Sequence, residues 1–320
     1  MWVSSFTVMS SASKTWLVGL DGSHISYRAL RLATMMMDPN VDTVKAFTIY
    51  DPSTDDVGTA QTLMSNAELE LRKAHVPSEQ WVVEAQALCD GWNIANQIIY
   101  HANHVNNGNA VLVIGASGKT ADGDSGKVHP SGNPPMGKIA DACLNRCKVP
   151  VLLTRASAAA LDEQEGVTRR RGLGGEAKGL CFTVCVDQSN LSKKAFDLSL
   201  RLCRPMETDM LRALHVEDGE WMGSRPPPQR ETLRKYYEAE CHKASFVCDD
   251  LIAGLDMVPR GSKASIKDTL LSQLEKTDVV VIGSMELSNF DKKIHLGSVA
   301  QAVAKLSRPH VLVVKNYTST

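Results

Sequence analysis

The sequence predicts two tandem α/β domains, each built on a five-stranded, mostly parallel sheet with helices on both faces. Two apolar runs, at 110–115 and 279–283, each close on a glycine, which is typical of a buried strand in a parallel sheet. Strand and helix patterns also alternate five times in each half of the chain. This alternation indicates parallel strands connected by helices that cover both faces of a sheet.

The two predicted domains are copies of one unit. Near the start, an apolar run at 16–20 is followed by Asp-Gly-Ser at 21–23 and by a helical pattern whose apolar residues lie 4, 7, 8 and 11 positions after Ile25. The same features recur 166 residues later, with Asp-Gln-Ser at 187–189, then apolar residues 4, 7 and 11 positions after Leu191 and Ser199 at the eighth. Recurrence of a whole unit in the same order indicates an internal duplication.

The composition is that of a soluble globular protein. The 320 residues are 43% hydrophobic and 22% charged, with a formal net charge of −1. We expect a tail at 1–13, domains at 14–155 and 179–317, and a charged, glycine-rich linker at 156–178. The charge predicts no general binding to nucleic acid or anionic membranes, and no run approaches the ~20 apolar residues of a membrane span. The predicted location is cytoplasmic, and cysteine spacing indicates no metal site.

Glycines follow the fourth predicted strand of each unit and open a later helix. They are Gly115, Gly118 and Gly137 in the first half, and Gly283 and Gly297 in the second. Glycine allows backbone amides to approach phosphate oxygens, and the start of a helix adds unpaired N–H groups and a partial positive charge. The pattern therefore predicts an anion-binding corner at the carboxyl ends of the strands.

These motifs resemble the universal stress protein family, with its UspA domain repeated in tandem over nearly the whole chain. The resemblance implies Rossmann-like domains, related to the adenine nucleotide alpha hydrolase fold, and a bound ATP or AMP, with Mg²⁺ as an optional companion ion. In that family a Gly-x2-Gly-x9-Gly-(Ser/Thr) motif wraps the phosphates and ribose. The aspartate after strand one and a residue late in strand two hold the adenine side. The resemblance also implies pairing of the two halves along their last strands, as an intramolecular pseudo-dimer.

In the first half the motif is interrupted by eighteen residues, Lys119–Met136, and Lys138 stands at the Ser/Thr position. An aspartate after a strand is also a common helix N-cap, so both roles stay open for Asp21. The candidate ATP-binding residues of this half are Asp21, Gly22, Ser23, Ile49, Gly115, Gly118, Lys119, Gly137, Lys138 and Ile139.

The second half is the weaker candidate. Glu286 replaces the second glycine, and a carboxylate about 4 Å from a phosphate would cost about 4 kcal/mol at an effective dielectric constant of ~20. His215, near the end of the second predicted strand, reads first as a buried histidine with a hydrogen-bond partner. The candidate residues of this half are Asp187, Val216, Gly283, Gly297, Ser298 and Val299.

Three functions compete at this point. The first is a stress-response protein that binds an adenine nucleotide as ligand or signal, without dedicated catalysis. The second is an interaction module that has lost its ligand, which the damaged motifs favour. The third is an enzyme related by fold, or a slow ATPase, although the sequence shows no catalytic triad or metal box. Whether two chains form a homodimer stays open.

Overall fold

The computed structural model describes residues 13–117, 136–155, 179–203, 209–217, 228–247, 252–261, 264–284 and 296–315. The first half contains β1 (Thr15–Gly19), α1 (His24–Met36), β2 (Thr43–Tyr50), α2 (Val57–Lys73), β3 (Trp81–Ala87), α3 (Ile94–His104), β4 (Ala110–Gly115), α4 (Lys138–Arg146) and β5 (Val151–Thr154). The second half contains β6 (Cys181–Cys185), α5 (Asn190–Leu202), β7 (Met210–Glu217), α6 (Pro228–Val247), β8 (Ile252–Pro259), α7 (Ile266–Ser272), β9 (Val279–Gly283), α8 (Ser298–Leu306) and β10 (His310–Val314). Short 3-10 turns lie at Ser78–Gln80 and Val105–Gly108.

The strands form one sheet in the order β3-β2-β1-β4-β5-β10-β9-β6-β7-β8. Within each half the neighbouring strands are parallel, and the two halves have the same strand order. The predicted fold class is therefore confirmed. The first strand of each half lies between the second and the fourth strand, so the chain runs to one side of it and then to the other. The gap between the first and the fourth strand is therefore a topological switch point, where α/β proteins bind ligands.

Helices cover both faces of the sheet, and each face has its own core. Strand residues alternate between the two cores: Val18 and Leu152 belong to one, Leu17 and Leu153 to the other, and all four are at most 1% exposed. Both cores include residues from both halves of the chain. The hydrophobic packing therefore continues from one half into the other.

The halves meet where β5 and β10 pair antiparallel, with Leu152 opposite Leu312. These two leucines are equivalent positions of the repeat. His310, at the start of β10, is 1% exposed, and its Nδ1 accepts a hydrogen bond of 3.1 Å from the backbone N–H of Arg155. Burial, together with the nearby charges of Arg28 and Arg155, lowers the pKa of His310 to about 3. The imidazole is therefore neutral at physiological pH.

Two sequence expectations for the second half need correction. The third strand, expected only weakly around Met257–Val258, is the full eight-residue β8. The third helix ends at Ser272, so Leu274 lies beyond it, although its side chain is still 3% exposed and in the core. Among the described residues, no helix combines the length and apolar character needed to cross a membrane.

Candidate functional site

A cavity of about 1030 Å³ lies at the carboxyl ends of β1, β2 and β4, against the start of α4. Its volume is at the upper end of the range of roughly 300–1,000 Å³ for small-molecule pockets. Apolar side chains of Phe47, Ile49, Ile94, Ile98 and Ile114 form much of its wall. The cavity can therefore enclose a flat, largely apolar group of a ligand while its rim stays polar.

Most of the residues predicted for the first half lie at this cavity. Its lining includes Asp21, Ile49, Gly115, Gly137, Lys138 and Ile139. Gly22 and Ser23 follow Asp21 in the loop between β1 and α1. Gly118 and Lys119 lie outside the described residues, so their predicted roles stay predictions.

The loop after β1 is held by a hydrogen-bonded pair. Ser23 is the N-cap of α1, and its Oγ accepts from the backbone N–H of Ser26 at 3.2 Å. Asp21 Oδ1 accepts from both the N–H and the hydroxyl of Ser23, at 3.0 and 2.6 Å. The N-cap role considered for Asp21 therefore belongs to Ser23. Asp21 orients the cap, and its exposed carboxylate stays fixed at the cavity.

Gly22 has a backbone conformation that a side chain would strain. Its φ is +83°, and a Cβ on it would lie 2.8 Å from Leu63 Cδ2. The equivalent residue of the second half is Gln188, which is not among the described non-glycine residues with positive φ. The two loops therefore follow different backbone paths after the same aspartate.

The start of α4 offers unpaired amides to the cavity. Its N-cap is Gly137, which has no side chain to cap the helix, and the N–H of Asp141 makes the first helical hydrogen bond, to the Gly137 carbonyl at 3.0 Å. The amides of residues 138–140 precede that bond. The Gly137 N–H donates to the Ala116 carbonyl at 2.8 Å, which fixes the helix start beside the exit of β4. The exposed Lys138 adds a cation at the same place.

Two buried hydroxyl-bearing residues line the cavity beside these groups. Thr48 is 5% exposed and Ser117 is 3% exposed. Both residues therefore belong to the wall that a bound ligand would contact. Sequence reasoning did not single out either residue, although Ser117 lies between the two predicted glycines of the motif.

The glycines at the strand exits have a packing role. A Cβ on Gly115 would lie 3.0 Å from Ile25 Cγ2, and a Cβ on Gly283 would lie 3.0 Å from Leu191 Cγ. Ile25 and Leu191 are equivalent residues of α1 and α5. Close packing of these helices against the strand ends therefore calls for glycine whether or not a ligand is bound.

In the second half, a tyrosine fixes the loop after β6. Ser189 caps α5 by accepting from the Ser192 N–H at 3.1 Å, and Asp187 Oδ1 accepts from the Ser189 N–H at 2.8 Å. The hydroxyl of Tyr237, a residue only 1% exposed on α6, lies 2.7 Å from Ser192 Oγ and donates to the Asp187 carbonyl at 3.2 Å. These bonds tie α6 to the loop that carries Asp187.

The other predicted residues of the second half occupy positions equivalent to those of the first. Val216 is 7% exposed near the end of β7, and Gly297 is the N-cap of α8, which Ser298 and Val299 begin. His215 is half-buried, and its Nδ1 donates to the Val186 carbonyl at 2.8 Å, so this histidine has the partner that the sequence predicted. Among the described residues of the whole chain, no three potential metal-ligating side chains lie together.

Residues 182–315 match the universal stress protein family. This stretch of the chain is therefore similar to that family. The match covers β6 to β10, and the first half has the same strand order. The predicted resemblance to this family is confirmed.

Solved structures extend the likeness of the fold to nearly the whole chain. A universal stress protein from Archaeoglobus fulgidus is 14% identical and covers 95% of this chain and 98% of its own, with a TM-score of 0.56. A functionally unknown protein from Pseudomonas aeruginosa is also 14% identical and covers 95% and 93%, with a TM-score of 0.54. A universal stress protein in complex with cAMP is 20% identical and covers 45% and 98%, with a TM-score of 0.33. No curated protein matches the chain.

Proposed function

We propose that the first half of the chain binds an adenine nucleotide, ATP or AMP, as a ligand or signal in a stress response, without dedicated catalysis. The cavity at the switch point of the first half carries this proposal, because it joins an apolar wall to the unpaired amides of α4. The apolar wall takes the base, and Asp21 lies where it can accept from the base or the ribose.

The phosphate end of the ligand lies at the start of α4. Lys138 supplies a cation there, and the Ser117 hydroxyl and the amides of residues 138–140 supply donors. Lys138 stands at the usual Ser/Thr position, so a charged amine takes the place of a hydroxyl there. The neighbouring Ser117 supplies a hydroxyl from the end of β4. These groups fit an adenine nucleotide, and Mg²⁺ is no necessary part of the proposal.

The second half is the weaker or empty site in this proposal. Tyr237 ties down the loop of Asp187, and Gln188 replaces the left-handed glycine of the first half. The pairing of β5 with β10 supports a second element of the proposal, in which one chain takes the place of a dimer of single-domain proteins.

An interaction module without a ligand is the alternative function. The observation that favours it is the packing of Ile25 and Leu191 against Gly115 and Gly283, because both glycines are then explained without any nucleotide.

Calorimetric titration of the full chain with ATP and with AMP tests these alternatives. We expect one nucleotide per chain, a loss of at least tenfold in affinity for Lys138→Gln, and no change for Ser298→Ala, the matched variant at the start of α8. Binding lost in the Ser298→Ala variant alone would place the site in the second half. Absence of binding by either nucleotide would favour the interaction module.

A further inference from the structure

Three aromatic rings form a continuous row on the outer side of α3. The indole of Trp92, just before the helix, lies edge-on to the phenol of Tyr100, with 5.3 Å between the ring centroids. Tyr100 in turn stacks on the imidazole of His104, at 4.2 Å between centroids. Trp92 is 40% exposed and Tyr100 is 50% exposed. Single exposed apolar residues are ordinary, whereas a contiguous patch marks a surface that another segment covers.

Helical periodicity separates this aromatic row from the core. Tyr100 and His104 are four positions apart, so they lie on one face of α3. The core-facing side of the same helix carries Ile98, Ile99 and Ala102, which are buried. The rings of the row therefore contribute little to the packing of α3 against the sheet, and they can be replaced without opening the core.

The row lies close to the point where the described chain begins. The carbonyl of Ser13, which precedes β1, accepts hydrogen bonds from the side-chain amides of Asn106 at 2.9 Å and Asn109 at 2.6 Å. Asn106 follows His104 by two residues, in the 3-10 turn at the end of α3. These bonds hold the residue from which segment 1–12 extends at the His104 end of the aromatic row.

Segment 1–12 matches the row in length and in chemistry. Twelve residues reach up to about 40 Å when extended, several times the distance between neighbouring rings of the row. The segment contains no charged residue, and Trp2 and Phe6 are among its apolar side chains. Aromatic side chains bury a large area and pack favourably against other rings. An uncharged, aromatic segment is therefore suited to an exposed aromatic surface.

We infer that segment 1–12 docks along the aromatic row, with Trp2 and Phe6 packed against Trp92 and Tyr100. The attachment of the segment at Ser13 favours this occupant over a second copy of the chain. A short tether gives an effective concentration of millimolar order, whereas a second copy meets the row only at the concentration of the protein.

Cleavage of the full chain by chymotrypsin after Phe6 tests the inference, because cleavage follows the fraction of chains in which the segment is undocked. Mass spectrometry of the intact protein measures the loss of residues 1–6. We expect Trp92→Ser/Tyr100→Ser to be cut at least tenfold faster than the natural chain, equivalent to about 1.4 kcal/mol of docking. Leu69→Ser, the matched control at a 51% exposed position of α2, should be cut at the natural rate.

The other outcomes contradict the inference. Equal cleavage of the natural chain and the double variant would show that the row does not hold the segment, and equal acceleration in Leu69→Ser would show that the effect is not specific to the row. Protection that rises with protein concentration, together with a dimer in analytical ultracentrifugation, would assign the row to a second copy. If circular dichroism shows that the double variant is unfolded, Tyr100→Ser alone takes its place, with an expected acceleration of at least threefold.

Discussion

Arg155 and Lys315 occupy equivalent positions, and each donates a hydrogen bond to the last turn of a helix in the opposite half. The Arg155 guanidinium donates to the Ala304 carbonyl of α8, and the Lys315 ammonium donates to the Leu144 carbonyl of α4. Both carbonyls belong to the group at a helix end that has no partner within the helix. A cation there also interacts favourably with the helix dipole. The joint between the halves is therefore built from two reciprocal helix caps.

Lys315 should make the stability of the chain rise at alkaline pH. Burial lowers the pKa of Lys315 from 10.5 to about 8. Between these values the unfolded chain binds more protons than the folded chain, so the contribution of Lys315 is fully present above 10.5 and is lost as the pH falls through 8. The free energy of unfolding of the natural chain should therefore rise by about 3 kcal/mol relative to Lys315→Met between pH 7.5 and 10.5. Urea unfolding at both pH values measures this difference, in which the other titrating groups cancel. Equal changes in the two proteins would contradict the assignment.

His310 should destabilise the chain in acid. Its pKa of about 3 lies below the ordinary value of 6.5, so its contribution is present above pH 6.5 and is lost progressively as the pH falls toward 3. Between pH 7 and pH 5 the natural chain should lose about 2 kcal/mol more than His310→Asn, which keeps an acceptor for the Arg155 N–H but does not titrate. Chemical unfolding of both proteins across this range is the measurement. A natural chain no more acid-sensitive than the variant would disprove the role of His310.

Gly115→Ala and Gly283→Ala separate packing from ligand contact. Alanine in a compatible backbone would stabilise the chain by about 0.4–1 kcal/mol. The predicted contacts with Ile25 and Leu191 instead give a loss of about 1–3 kcal/mol in each variant, through overpacking. Thermal unfolding without nucleotide measures whether each substitution raises or lowers the stability of the chain. Unchanged or increased stability would mean that these glycines serve the ligand alone.

Tyr237→Phe should destabilise the second half. The change removes the hydroxyl that bonds to Ser192 and to the Asp187 carbonyl, at an expected loss of about 1–2 kcal/mol. Tyr236→Phe is the matched control, since Tyr236 is only half-buried and contacts Lys193 with its ring, at 4.8 Å from the centroid. The control should change stability by less than about 0.5 kcal/mol. Equal losses in the two variants would show that the hydroxyl of Tyr237 does not hold the loop.

Features that depend on local pattern were predictable from the sequence. The runs that became β4 and β9 carry consecutive apolar residues closed by glycine, and the period of the helix after Asp21 identified α1. The sequence predicted β8 only weakly because Gly254 and Asp256 have low strand propensity. Pairing with β7 over eight residues overrides that preference.

Features that depend on contacts between distant residues were not predictable. Nothing near Arg155 in the sequence shows that its side chain reaches Ala304, and Tyr237 read as one apolar position of a helix face rather than as a partner of the Asp187 loop. The presence of Thr48 and Ser117 at the cavity wall depends on which way each side chain points at the end of its strand, which alternation alone did not fix.

The pairing of β5 with β10 joins two stretches of one chain, so the residues on the two sides of this joint can differ, unlike those of a symmetric homodimer. In a homodimer, a substitution near the axis is made on both sides at once, so each pair of facing positions must tolerate identical residues. Here the two sides of the joint are different segments of one chain and are encoded separately. His310 occupies the position equivalent to Pro150, and Lys315 occupies the position equivalent to Arg155. The two sides of the joint therefore differ in sequence, and each half can change at its strand exits without a matching change in the other.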